Sequence, residues 1–514
     1  MRVALLSRAT LRRATLCALI ATTPASADAP LFVERAADLG IVHEYVGGWE
    51  HFVGGGIASF DCDGDALPEL YAAGGTAPAL LLRNRSAGGD LIFEADTPDA
   101  LALTGVTGAY PLDVDSDGRL DLAILRVGEN RLMKGGPDCT FTPVSLASGD
   151  RWTTAFSATW EGDALLPTLA FGNYVDRTDP DGPFEACDTS MLHRPDGDGY
   201  GTPTPLAPGH CTLSMLFSDW GRRGRADLRV SNDRHYYVRG GAEQMWAMEA
   251  PPRLYGAGDG WREHAIWGMG IASRDLDGDG IPEIYLTSMG DQKLHSLAPE
   301  ASGPAYDDTP FERGAAAHRP YTGGDGRPST GWHAAFGDID NDGRDDLFVA
   351  KGNVEQMPSN AALDPNNLLM QTPDGRFVER GEAAGLASMV RARGAVVADL
   401  DLDGRLDIVV VNRRAPLEIH HNVTEDAGGW LLVGLAQAPP NTRAVGAFIE
   451  VRTDAGVQTR EITVGGGHAG GSAGWHHFGL GDAATAEMRV IWPGGAASDW
   501  RDIDANTRMT VTRD

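Results

Sequence analysis

Asp399 to Val411 read DLDLDGRLDIVVV, with carboxylates at Asp399, Asp401, Asp403 and Asp407 and a β-branched run directly behind them. Like charges this close repel. At about 4 Å and an effective dielectric near 20, each pair opposes loop closure by roughly 4 kcal/mol. The run that follows favours a buried strand. A loop of this kind closes only around an opposite charge.

The motif recurs in register. Asp61 begins DCDGDALPELYAA, Asp113 begins DVDSDGRLDLAIL, Asp275 begins DLDGDGIPEIYLT and Asp338 begins DIDNDGRDDLFVA. Each copy puts acids at positions 1, 3, 5 and 9: Asp61, Asp63, Asp65 and Glu69; Asp113, Asp115, Asp117 and Asp121; Asp275, Asp277, Asp279 and Glu283; Asp338, Asp340, Asp342 and Asp346. Gly56, Gly108, Gly270 and Gly394 stand five residues before four of the first acids. A degenerate copy at Asp219 (DWGRRGRADLRVS) keeps Asp219, Gly224 and Asp227 but has Gly221 and Arg223 in place of acids. Either Arg223 sets its guanidinium between Asp219 and Asp227, or it lies on the surface of a decayed loop. First acids step by 52, 106, 56, 63 and 61 residues. The doubled step predicts a further unit, and TWEGDALLPTLAFGNY (Thr159–Tyr174), with Glu161 and Asp163, fits it. LFVERAADLGI (31–41) also matches RFVERGEAAGL (376–386). A period of about 50 to 60 residues, built of strands and turns, is the signature of a β-propeller blade. Seven such units fill residues 31–424. A solenoid would instead require capping units at its ends.

Positions 1, 3 and 5 are hard oxygen donors on one side of a turn. Position 6 is glycine in four copies and Ala66 in the first, where a positive φ is expected. A carbonyl near position 7 and the acid at position 9 complete an all-oxygen cage, which suits Ca²⁺ better than Mg²⁺. Zinc is disfavoured because the pattern holds no thiol or imidazole ligand. An EF-hand is excluded, since position 12 is Ala72, Ile124, Leu286, Val349 or Val410 rather than glutamate. The expectation is about five Ca²⁺ sites. The loops also account for much of the acidity: 72 acidic against 43 basic residues give a formal net charge of -29. That sign argues against a nucleic-acid partner.

Residues 1–27 have the pattern of a Sec-type signal peptide. Arg2, Arg8, Arg12 and Arg13 precede the apolar run Ala14–Ala21 and the small-x-small site Ala25-Ser26-Ala27. The expected location is secreted or periplasmic, with no transmembrane segment. Of the five cysteines, Cys62, Cys139, Cys187 and Cys211 follow the signal. A Cys187–Cys211 disulfide would close a long Pro/Gly/Asp-rich loop. No comparable reason pairs Cys62 with Cys139. His235, His420, His421, His476 and His477 lack metal spacing such as HExxH and read as structural. The 12 tryptophans read as packing between sheets rather than a sugar platform.

After Asn422 the repeat stops. Residues 428–514 read as short strands separated by turns (WLLVGL, AFIEVRT, QTREITV, HHFGLG, EMRVIWP, MTVTR), a small C-terminal β-sandwich. NTRAVGAFIEVRT, GGGHAGGSAGWHHFGLGD and MRVIWPGG resemble the ASPIC/UnbV domain, and the acidic units resemble FG-GAP or VCBS-type repeats. With SNDRHYY (231–237), WGMGIASRD (267–275) and AKGNVEQMPSNAALDPNNLL (350–369), the chain resembles the cartilage acidic protein family. The resemblance implies an all-β, integrin-α-like seven-bladed β-propeller with calcium in its loops, then a β-domain, and no established catalytic activity. The expected role is a secreted calcium-binding scaffold for an extracellular protein or glycan ligand. The alternative is an exported propeller hydrolase or lyase acting on a polymer or phosphoester, which would need an acid/base pair in the channel.

Overall fold

Each acidic motif is the turn of a β-hairpin. In a computed structural model describing residues 29–179, 186–233, 241–316 and 318–513, the quoted loop joins strand Ala392–Ala398 to strand Asp407–Asn412, with Ala398 paired to Asp407. The same register recurs at Phe60–Glu69, Leu112–Asp121, Arg274–Glu283 and Gly337–Asp346. It holds for the degenerate copy, Ser218–Asp227, and for the unit expected in the long gap, Thr159–Thr168. The proposed signal peptide and His235 lie outside the described residues.

The fold is all-β, in many small sheets, with only single-turn 3-10 helices among the described residues. After each acidic hairpin a third and a fourth strand add in sequence order. The last such sheet takes its fourth strand from the other end of the chain: Phe32–Glu34 pairs antiparallel with Glu418–Asn422. This explains the repeated FVE sequence, because Phe377–Glu379 is the fourth strand of the preceding sheet. First strands of successive sheets touch one another, and Ala392–Ala398 touches Ile57–Phe60, where the Gly394 N–H donates to the Gly55 carbonyl at 3.0 Å.

Second strands are buried on both faces, which is why they read as continuous apolar runs. Val409 and Val411 pack into a core with Ile57, Leu70 and Leu81 of the first sheet. Ile408 and Val410 point the other way, onto Phe348 and Leu368. Each such side chain contributes about 1.5–3 kcal/mol by leaving water.

The C-terminal unit holds two sheets. One orders His476–Gly481, Gly429–Ala436 and Thr507–Thr512; the other orders Gly456–Glu461, Phe448–Thr453, Thr485–Ile491 and Arg501–Asp504. They share a core of Leu431, Val433, Phe478, Ile449, Met488 and Val490.

Between strands of these two sheets, residues 463–474 (TVGGGHAGGSAG) leave the unit and cross the first strands of five of the hairpins. Val464 bridges to Ala158, Gly465 to Leu216, Gly467 to Ile271, Gly470 to Ala109 and Ser472 to Ser59. The path demands glycine. Gly466 and Gly467 have φ of 72° and 57°, and a Cβ on Gly470 would lie 2.2 Å from the Ile57 carbonyl. Two of the glycines that precede the first acids have their reason here: a Cβ on Gly56 or Gly108 would lie 1.8 or 1.7 Å from the Ala469 carbonyl.

Candidate metal centres

The first acid of each loop shapes the turn. Asp399 accepts the Asp403 and Gly404 N–H groups at 3.1 and 2.8 Å, and Asp338 accepts those of Asp342 and Gly343 at 3.0 and 2.8 Å. Asp61, Asp113, Asp275 and Asp219 do likewise, always taking the N–H of position 6. That position has positive φ throughout, from 76° to 92°, and Ala66 holds it at 77° without being glycine. A left-handed non-glycine residue costs about 1–2 kcal/mol.

The acid at position 5 accepts the N–H of position 7: Asp65 from Leu67, Asp117 from Arg119, Asp279 from Ile281, Asp342 from Arg344 and Asp403 from Arg405. The acid at position 9 is a brace. Asp121 takes the Val114 and Gly135 N–H groups, Asp346 those of Ile339 and Gln371, Asp407 those of Leu400 and Asn422, and Glu69 those of Cys62 and Asn84. Glu283 takes the Leu276 N–H. Two carboxylate oxygens offer about four acceptor sites, so these bonds leave lone pairs for an ion. Asp115 and Asp277, at position 3, complete their loops beside Asp113 and Asp275. The structure therefore brings the acids of each loop together in sequence order.

Electrostatics separates the loops. Burial and mutual repulsion push Asp399 up to about 8, and Asp338, Asp346 and Asp407 well above the usual carboxylate range. Burial also lifts Glu69, Asp121 and Glu283 to about 7 and Asp342 to about 6. Asp63 and Asp117 move the other way. Burial opposes the shift at each, but Arg83 and Arg85 hydrogen-bond Asp63, while the Arg119 N–H and Lys134 hold Asp117.

These cations were not identified from the sequence. Arg83 lies 2.6 Å from Asp63, and Lys134 pairs with Asp115 and reaches Asp117 at 3.1 Å. Both sit at one register position, the third-strand residue after the partner of position 10. In the unit with the degenerate Glu161 loop that residue is Arg194, 3.0 Å from Glu161. Arg223 fills the Asp219 loop itself, but its guanidinium pairs with Asp227, at 3.1 Å, and not with Asp219, which takes its main-chain N–H.

Both disulfides form. Cys187–Cys211 closes the loop as expected. Cys62–Cys139, the weaker pairing on sequence grounds, ties the Asp61 loop to the next hairpin unit with Cα atoms 4.9 Å apart. Neither cysteine is then a thiolate ligand. Asn84 and Asn422 occur in glycosylation sequons, yet both are fully buried. Asn84 donates to Leu400 O and Asn422 to Ile339 O, stapling each loop to its neighbour.

The C-terminal unit sits on the loop face. Arg460 pairs with buried Asp345 at 2.6 Å, Trp475 donates to Ala66 O at 3.0 Å, His477 donates to Gly404 O at 3.0 Å, and Thr442 bonds Asp113. A cavity of about 580 Å³ remains between them, lined by Asp61, Asp113, Asp275, Asp399, Arg274 and His476. On the crossing segment, buried His468 accepts the Gly54 N–H and donates to Met269 O, both at 3.1 Å. Burial holds it down to about 3, a neutral imidazole.

No helix among the described residues is long and apolar enough to cross a membrane. No curated protein matches the chain. Solved structures with likeness include BBS1N in complex with ARL6DN (10% identity, 75% of this chain and 96% of that one, TM-score 0.40). The BP39L lectin from Burkholderia pseudomallei is another (10% identity, 88% and 99%, TM-score 0.40). Likeness at this level reaches no further than fold. Residues 437–514 match the ASPIC and UnbV family, so the C-terminal unit of this chain carries a domain of that family.

Proposed function

We propose that this chain is a secreted or periplasmic seven-bladed β-propeller with a C-terminal β-sandwich, held rigid by Ca²⁺ in its hairpin loops and acting as an extracellular binding scaffold. The ring reading is supported by the contacts between successive first strands, by the Gly394–Gly55 hydrogen bond, and by the N-terminal strand that completes the last sheet. Two disulfides fit an oxidising compartment.

The observation that carries the metal reading is one geometry repeated in five loops: carboxylates crowded and partly buried, shaped by the same main-chain bonds, with burial raising the position-9 acid in every loop. Oxygen-only donor sets of this kind fit Ca²⁺. Because the C-terminal unit rests on those loops, ions there also fix its docking.

Binding is favoured over catalysis in the channel because residues 463–474 run along five of the first strands that would line it. The histidines met there, His468 and His333, are neutral and buried, with His333 accepting the His468 N–H at 3.1 Å. Chelator-treated and calcium-replete chain should differ in melting temperature by many degrees, since ions bound only by the native state stabilise it. Identical melts would refute the metal reading. A glycan and protein array should then identify a ligand, whereas turnover on a polysaccharide or phosphoester panel would reverse the functional ranking.

A further inference from the structure

The register position occupied by Arg83 and Lys134 can be followed through the other complete loops. For the Asp275 loop it is Ser296, and for the Asp338 loop it is Met370. Neither carries a charge. For the Asp399 loop it is His421, a structural histidine on sequence grounds alone. Its Nε2 lies 3.2 Å from Asp401 Oδ2.

His421 is 5% exposed and neither ring nitrogen makes a hydrogen bond. Asp401 faces it with a fully buried carboxylate whose two oxygens are likewise without hydrogen bonds. One ligand atom each from Asp401, Asp403 and His421 lie within 4.8 Å of one another. Arg405 pairs with the outer oxygen of Asp403 and donates to Asn422 O, so it neutralises the rim of the loop but not Asp401. Orphaned buried polar groups cost about 1–3 kcal/mol each unless something partners them.

We infer that the Asp399 loop is a mixed carboxylate–imidazole site for a borderline first-row divalent ion such as Zn²⁺, with His421 supplying a nitrogen ligand. The inference rests on the proposal that these loops hold divalent ions, and it changes the ion at one of them. Imidazole favours zinc-like ions over Ca²⁺, which takes oxygen. The all-oxygen loops at Asp275 and Asp338 stay with calcium. The loops at Asp61 and Asp113 carry a third-strand cation, and the Asp338 loop carries Arg344 on Asp342, so these hold their ions more weakly than the Asp275 loop.

The test uses the full chain, stripped by chelator and dialysed against about 1 mM Ca²⁺, in the range of extracellular calcium modules, with micromolar Zn²⁺. Metal content is read by elemental analysis and zinc ligation by X-ray absorption. His421→Ser places the residue of the Asp275 unit at this register, and His421→Arg that of the Asp61 unit, so both are compatible with the sheet. Wild type should retain one more zinc per chain than either variant, with imidazole in its coordination shell. His421→Ser should keep its calcium and lose zinc affinity by at least the 10–100-fold typical of losing even an outer-shell partner. Equal zinc in wild type and His421→Ser overturns the inference. Calcium bound without a His421-dependent zinc sinks this inference alone. A His421-dependent zinc without any calcium sinks the calcium reading and leaves the inference standing.

Discussion

Gly108→Ala tests whether residues 463–474 lie where the structure puts them. The new Cβ would sit 1.7 Å from the Ala469 carbonyl oxygen, 2.7 Å from its carbon and 2.9 Å from its methyl. All are main-chain or Cβ atoms, so no side chain can swing aside. The segment must retreat by more than about an ångström, at an overpacking cost of about 1–3 kcal/mol. The Ala109 N–H bond to Ala469 O is 3.2 Å long and goes with it, adding about 1 kcal/mol. A loss of roughly 2–4 kcal/mol should appear as a melting temperature lower by several degrees. Gly56→Ala meets the same oxygen at 1.8 Å. One displaced segment then relieves both clashes, so the double variant should cost less than the sum of the singles, by about 0.5–3 kcal/mol. Gly199→Ala is the control, since its Cβ meets nothing within 4 Å. Thermal melts with hydrogen exchange of residues 463–474 supply the readout. A wild-type melt with those amides still protected in Gly108→Ala, or strict additivity in the double variant, would refute the placement.

Three further outcomes follow from the loop electrostatics. Without metal, Glu69, Asp121 and Glu283 titrate at about 7 and Asp399 at about 8, against about 4 when unfolded. The folded state therefore holds the extra protons, and the stability from these groups, complete below about pH 4, is lost as pH rises through 7–8. Melts in chelator should fall from acid to neutral pH, calcium should cancel the fall, and a rise would contradict the burial of these acids. Asp338→Asn should lower stability by about 1–3 kcal/mol more in calcium than in chelator, where only one turn hydrogen bond is lost; equal losses in both would exclude an ion at that loop. Arg83 is buried between Asp63 and Asp138, at 2.6 and 2.9 Å, so Arg83→Ala should cost about 3–5 kcal/mol in urea titrations. Millimolar calcium should recover part of that loss, and no recovery would mean that the Asp61 loop depends on its arginine alone.

The acidic hairpins were legible because position, spacing and residue type repeat together. Position 6 was legible from its glycines, and even Ala66 adopts the expected sign of φ. The repeated FVE stretches foreshadowed a strand shared between the chain ends. The third-strand counterions were hidden for a physical reason: register repeats but chemistry does not, running Arg83, Lys134, Ser296, Met370 and His421. Arg83 and His421 each fall fourteen residues after the last acid of their loop, the one signal that could have found them. The segment 463–474 was opaque because its glycines read as turns, while its partners lie in five distant strands. Cys62 and Cys139 are 77 residues apart and give no local cue. Tryptophan was read correctly where it packs, as at fully buried Trp152 and Trp332.

The central claim is that the repeated carboxylate hairpins hold divalent ions. Equilibrium dialysis of the chelator-stripped full chain against zinc-free millimolar calcium, followed by elemental analysis, tests it most directly. The account predicts calcium approaching five ions per chain, with the Asp275 loop filling first. A chain that emerges without calcium would contradict it.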